Sequence, residues 1–251
     1  MNTNLSAVVV TACLFGAVLL GRWIRRCVPE HHLSADSKDA VKLAMGLVAT
    51  MTALLLGLLV NSAKGTYDTQ RIEVIQMAAK VAFLDRVLAA YGPEAAEAHA
   101  QFRNATAGAV RRMWPDEAGA RAQLLPNAQA GDVFYAAIQA LSPRDETQRG
   151  LKAQAAALAV DLGQLRMLLV AQMTPSIPKP LLIAVVCWLV IIFLGFSLLA
   201  PPNATSTLAL VSAAASVAVA VFLIMELDRP WGGLIRISGE PMRNALAQFA
   251  K

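Results

Sequence analysis

Between Lys179 and Glu226 the chain carries no Asp, Glu, Lys or Arg. That run is roughly twice the ~20 residues one helix needs to cross a hydrocarbon layer. It must turn once, and Pro201-Pro202-Asn203 is the place for it, because proline has no N–H to donate and asparagine accepts turn geometry. Two more apolar runs precede it. Leu5 to Ile24 is broken by charge only at Arg22, and Leu43 to Val60 has none. Four membrane spans are therefore expected, at about 5–23, 41–62, 181–200 and 205–225.

The composition agrees. Hydrophobic residues make up 57% and charged residues 16%, against about 45–50% and about 25% in soluble domains. This argues against a soluble enzyme. The net charge of +5 and pI near 9.4 fit basic loops beside lipid headgroups rather than a nucleic-acid partner. A secretory signal would place positive charge before its apolar core, whereas here Arg22, Arg25 and Arg26 follow it, so the first run is read as a retained span. Cys13, Cys27 and Cys187 show no paired spacing, and His31-His32 has no Cys or carboxylate at ligand spacing. The pair is read as a solvated loop.

Four spans place the N-terminus, the long middle segment and the tail on one side. The connection at about 22–42 carries Arg22, Arg25, Arg26, Lys38 and Lys42, and Pro201 to Ser206 carries no charge. The other side carries Lys64, Arg71, Lys80, Arg166, Lys179, Arg229, Arg236 and Arg243 near span ends. The excess of Lys and Arg puts the middle segment and tail in the cytoplasm, although the positive flank of the first span alone points the other way.

Residues 64–180 read as all helix, rich in Ala, Leu, Gln, Arg and Glu. Ile72, Ile75, Met77, Ala79, Phe83, Leu84 and Leu88 recur at helical spacing, and nothing from Val41 to Tyr91 breaks a helix. The second span thus continues as one helix of about 50 residues, about 75 Å long at 1.5 Å per residue. Tyr91-Gly92-Pro93 stops it. A second helix runs to about Trp114, residues 115–131 are looser, and a short helix covers about Asp132 to Leu141. Ser142-Pro143-Arg144-Asp145-Glu146 starts another, with Ser142 as its cap, to about Met173. Thr174 to Pro180 is a proline-stiffened connector. The expected fold is all-α: four transmembrane helices with a helical cytoplasmic insert between spans two and three. The divisions are 1–63, 64–180, 181–225 and an amphipathic tail at 226–251. No glycine-rich phosphate loop, Ser-His-Asp set or Cys/His cluster stands in the chain, so neither an enzyme nor a cofactor or metal site is expected.

Two polar features remain. Gly46, Thr50, Ala53, Gly57 and Asn61 share one face of the second span, and Lys64, Asp68 and Arg71 extend it. Small residues let helices approach closely in lipid, so one reading is packing. The other is a pore lining that ends in an amide and charges. Ser212, Ser216 and Ala220 form a similar face in the fourth span, for which packing suffices. Trp23 and Trp231 suit an interface belt. Glu226 and Asp228 stand at the end of the fourth span, where acids need water or a partner, and Lys64, Arg229 and Arg236 are candidates to pair with them. Pro230 and Gly232-Gly233 end that helix, and Ile235 to Pro241 reads as a short amphipathic piece. The set Lys64, Glu226, Asp228, Arg229 and Arg236 is either an ordinary end-of-helix turn or a pore mouth with a gating role.

The segment from Glu226 to Ser238, Glu-Leu-Asp-Arg-Pro-Trp-Gly-Gly-Leu-Ile-Arg-Ile-Ser, closely resembles the C-terminal signature of a bacterial membrane-protein family of unknown function termed bestrophin-like. Arg71-x-Glu73, Leu84-x-Arg86 and Tyr91-Gly92 are similar to that family's helix after the second span, with Val74-Ile75-Gln76-Met77 where the family commonly has an acid-rich Glu-Ala step. Bestrophins proper are pentameric anion channels with four spans per subunit and a pore lined by the second. The resemblance to them is architectural, and their aromatic run on that span has no counterpart, since 41–62 hold no Phe, Tyr or Trp. The resemblance implies a homo-oligomeric ion channel of the bacterial inner membrane, a pentamer conducting small anions. A cation-selective channel, or a non-conducting scaffold or sensor whose helical domain binds a partner, are the alternatives.

Overall fold

The structure is a computed structural model that describes residues 3–27, 35–115, 123, 128–174 and 176–249. His31-His32 and much of the stretch 115–131, with Pro126 and Asn127, lie outside the described residues. Every regular element among the described residues is helical: α1 Thr3–Cys27, α2 Ala35–Tyr91, a 3₁₀ turn Pro93–Ala95, α3 Ala96–Met113, α4 Ala128–Ala140, α5 Glu146–Ala171, α6 Lys179–Leu199, α7 Ala204–Leu227 and α8 Glu240–Gln248. The expected all-α class and the unbroken second helix are both present.

Five helices among the described residues are long and apolar enough to cross a membrane: α1, α2, α5, α6 and α7. The four runs chosen from sequence are among them. The addition is α5, apolar through its leucines, alanines and valines, which carries Asp161 and Arg166. Asp161 pairs with Lys80 of α2.

The chain forms two compact units. The first comprises Met1–Thr66 and Pro175–Arg229. Here α1 packs on α6 and α7, with Leu14, Val18, Val185, Leu189, Phe193, Ala214 and Val221 in the core. Glycine permits the closest approach: a Cβ on Gly21 would fall 2.7 Å from the Leu194 carbonyl oxygen and 2.7 Å from Ser197 Cβ. Close backbones suit lipid, where small residues and hydrogen bonds replace the hydrophobic drive. Buried Ser197 accordingly donates to the Val18 carbonyl at 2.6 Å. Arg25 donates to the Leu198 carbonyl at 2.8 Å and Arg22 to the Pro201 carbonyl at 3.3 Å. Those carbonyls lie in or just past the last turn of α6, where intrahelical donors run out. The following turn is as expected, with the Asn203 side chain capping α7 by accepting from Ser206 N at 2.8 Å.

The second unit comprises Tyr67–Thr174 and Pro230–Lys251. Its core gathers Val74, Met77, Val81, Leu84, Leu88 and Tyr91 of α2 with Phe102, Val110 and Met113 of α3, Phe134 and Ile138 of α4, and Ile237, Met242 and Phe249 of the tail. Met77, Leu84 and Leu88 are buried as the periodicity predicts, while Ile72, Ile75 and Phe83 are exposed. This stretch of α2 is apolar on more than one side, so spacing alone does not identify the packed face. Buried Asp85 meets His99 and lies 3.4 Å from Arg103 Nε, and Arg103 donates to the Phe249 carbonyl. These bonds tie α2, α3 and the end of α8 together.

The start of α5 differs from the expectation. Asp145, not Ser142, is the cap, accepting from Gln148 N at 2.7 Å, and the Gln148 side chain accepts from Arg144 N at 2.8 Å. This reciprocal arrangement satisfies two donors, leaving Ser142 and Pro143 outside the helix. Gly92, between α2 and the 3₁₀ turn, has φ 112° and ψ −174°, a region essentially closed to other residues. Gly92→Ala is therefore expected to destabilise the second unit by about 1–3 kcal/mol, read as a lower midpoint in thermal unfolding of the purified protein.

Candidate functional site

The site residues on α2 are best seen by asking which side of that helix packs. Met45, Thr52, Leu59 and Ala63 are buried. Gly195 of α6 marks the contact, since a Cβ there would run into the Met45 side chain. Gly46, Thr50, Ala53, Gly57 and Asn61 are all exposed, on another side of the same helix. A Cβ at Gly46 or Gly57 would meet nothing within 4 Å. The small-residue stripe therefore makes no packing contact within the protomer at either glycine.

What the stripe offers is sparse polarity. Thr50 Oγ1 donates to the Gly46 carbonyl at 2.9 Å, so its one donor is used by its own helix and its oxygen keeps accepting capacity. The Asn61 amide is exposed, with two donors and an acceptor. Lys64 follows on the same face and is exposed. Leu43, Leu47, Leu54 and Leu58 form an exposed apolar row alongside the stripe, suited to lipid or a neighbouring copy.

At the end of α7, Glu226 is buried within the first unit at 2% exposure. Asp228 is half-buried and serves the segment leading into α6: its Oδ1 accepts from Ser176 N at 2.9 Å and from Ser176 Oγ at 2.6 Å. Arg229 N donates to the Glu226 carbonyl at 3.1 Å, closing the last turn. The sequence singled out basic partners for Asp228, and nothing in the Thr-Pro-Ser-Ile-Pro segment marked Ser176 as the one it takes. Asp228→Ala is expected to cost the first unit about 1–2 kcal/mol, while Asp228→Asn, which keeps the accepting oxygen, loses less. Thermal unfolding of both variants in one detergent checks this.

Arg236 belongs to the second unit, in a loop closed by Ile237 N donating to the Pro230 carbonyl at 3.0 Å. Its Nε donates to the Gly233 carbonyl at 2.8 Å, and its own carbonyl accepts from Tyr67 at 3.4 Å. Trp231 is not a free interface tryptophan. Its indole N–H donates at 2.7 Å to Gln70, which is 1% exposed and donates in turn to the Gln172 carbonyl at 3.2 Å. Gln70 and Gln172 carried no sequence signal, being ordinary helix formers in a helical stretch. At the other end of this stretch of α2, burial raises the Tyr91 phenol above its usual value, and Glu94 adds to the rise.

Residues 12–242 match the family model described as a bestrophin-like domain. No curated protein and no solved structure matches the chain.

Proposed function

Because the chain belongs to the bestrophin-like family, we propose that it is one subunit of a homo-oligomeric ion channel whose pore is lined by α2. The observation that carries this reading is the outward stripe Gly46, Thr50, Ala53, Gly57 and Asn61, exposed on a helix whose other side packs against its own unit. A stripe meant for packing inside one protomer would be covered. An exposed line of small and weakly polar groups fits a water-filled axis shared by several copies. In this reading α1, the first part of α2, α6 and α7 span the bacterial inner membrane, the second unit is cytoplasmic, and five copies surround the axis.

Anions are the proposed permeant species. The supporting observation is the contrast between Lys64, exposed on the stripe face, and Glu226, buried in its own unit. Of that pair, Glu226 is turned away from solvent, whereas Lys64 is presented to it. The pore mouth would then consist of Asn61 and Lys64, with Glu226, Asp228 and Arg229 holding the end of α7 in place.

The test is current from purified protein in planar bilayers under an asymmetric KCl gradient. A reversal potential close to that of chloride supports the reading. A potential close to that of potassium transfers it to a cation channel, and the absence of current from an oligomer of confirmed integrity favours the non-conducting scaffold.

A further inference from the structure

The second unit contains a cavity of about 170 Å³ lined by Met113, Trp114, Trp231, Arg236, Ile237 and Arg243, with two prolines completing the wall. Its chemistry is two-sided. The indoles of Trp114 and Trp231 lie 5.6 Å apart, tilted by 50°, and with the neighbouring side chains make an apolar wall. Arg236 and Arg243 are both exposed, so the cationic side is open to solution. Among the described residues no Asp or Glu lines the cavity.

The walls are held in place. Trp114 donates its indole N–H to the Ile237 carbonyl at 2.9 Å, and Trp231 donates to buried Gln70 at 2.7 Å. Trp114 also rests on Gly239, where a Cβ would come 2.7 Å from its Cγ. Neither indole N–H is left to seek a partner in the cavity, so the rings offer their carbon surfaces. Of the two guanidiniums, Arg236 is anchored through Nε alone, at the Gly233 carbonyl, which leaves its outer nitrogens as donors. Among the described residues neither arginine forms an ion pair with a carboxylate.

We propose that this cavity binds a small aromatic carboxylate, its ring against Trp114 and Trp231 and its carboxylate on Arg236 and Arg243. The volume is close to the ~150 Å³ that accommodates one benzene ring in an apolar cavity. Offset or tilted ring contacts suit indole walls, and the guanidinium fork matches a carboxylate. Two arginines with no acid among the described lining residues disfavour a cation. A compact inorganic anion would leave the apolar wall in contact with water.

The test is calorimetric titration of the full-length detergent-solubilised protein with benzoate. Acetate supplies the charge without the ring, benzyl alcohol the ring without the charge, and inorganic phosphate a compact anion. Saturable benzoate binding is expected, weakened roughly tenfold by Arg243→Gln and further by Arg236→Gln with Arg243→Gln, with acetate, benzyl alcohol and phosphate each binding at least about tenfold more weakly than benzoate. Both arginines are exposed, so the variants are expected to fold, which an unchanged unfolding midpoint verifies. Absent benzoate binding overturns the proposal, as does binding unchanged in the double variant or matched by phosphate or acetate. Neither result bears on conduction, because the cavity uses no residue of the α2 stripe.

Discussion

Leucine at Thr50 or Asn61 is expected to lower the single-channel conductance roughly tenfold or more. Both side chains are exposed on α2, and an apolar collar inside a narrow pore conducts poorly because water leaves it. Thr50→Leu removes a hydroxyl whose hydrogen already serves the Gly46 carbonyl, so the helix loses little. Asn61→Leu removes an amide that has no hydrogen-bond partner among the described residues. The fold should tolerate both changes, and stability from unfolding should stay within about 0.5 kcal/mol of the parent, as for ordinary surface substitutions. Current measured beside stability separates a pore residue from a structural one. Unchanged conductance in both variants removes α2 from the pore.

Gly21→Ala is expected to show the converse, with loss of the fold of the first unit rather than loss of current from an intact one. The added methyl would stand 2.7 Å from the Leu194 carbonyl oxygen. That neighbour is backbone in mid-helix and cannot swing aside as a flexible side chain does. α1 and α6 must separate, which lengthens the Ser197–Val18 hydrogen bond of 2.6 Å as well. The cost is about 3 kcal/mol, at the upper end of ordinary overpacking. Gly16→Ala on the same helix is the control: nothing lies within 4 Å of that Cβ, so it should be neutral or slightly stabilising through lower backbone entropy in the unfolded chain. Thermal unfolding of the three proteins in one detergent gives the comparison. Equal midpoints would mean that the α1–α6 contact is looser than described.

The helical layout was largely legible because it rests on local rules. Charge-free runs, the Asn203 turn and the Gly92 break all concern residues near one another in sequence, and each holds. Where two local solutions compete, the reading slipped. Ser142 and Asp145 are both good caps, and Gln148 decides for Asp145 by bonding back to Arg144 N. The fifth apolar helix, α5, reads from sequence as part of the helical insert, because Arg149, Lys152, Asp161 and Arg166 break up its apolar positions.

Long-range partners were not legible. Nothing local joins Trp231 to Gln70, Asp228 to Ser176, or Trp114 to Ile237. The stripe follows from helical spacing along α2, but whether that face packs in its own protomer depends on where α1, α6 and α7 lie. The exposure of Gly46, Thr50, Ala53, Gly57 and Asn61 answers that for the single chain, which sequence spacing has no means to do.

Cysteine accessibility during recording tests the pore assignment most directly. Cys13, Cys27 and Cys187 are free and exposed, so the background is the triple serine variant with its conductance confirmed. Single cysteines at Thr50, Gly57 and Asn61 are compared with cysteines at Ala44 and Met51, exposed positions turned well away from the stripe on the same helix. A charged, water-soluble thiol reagent should change the current at the first three positions and leave the last two unaffected. Modification of Ala44 and Met51 alone, or an equal response all round the helix, contradicts a pore lined by this stripe.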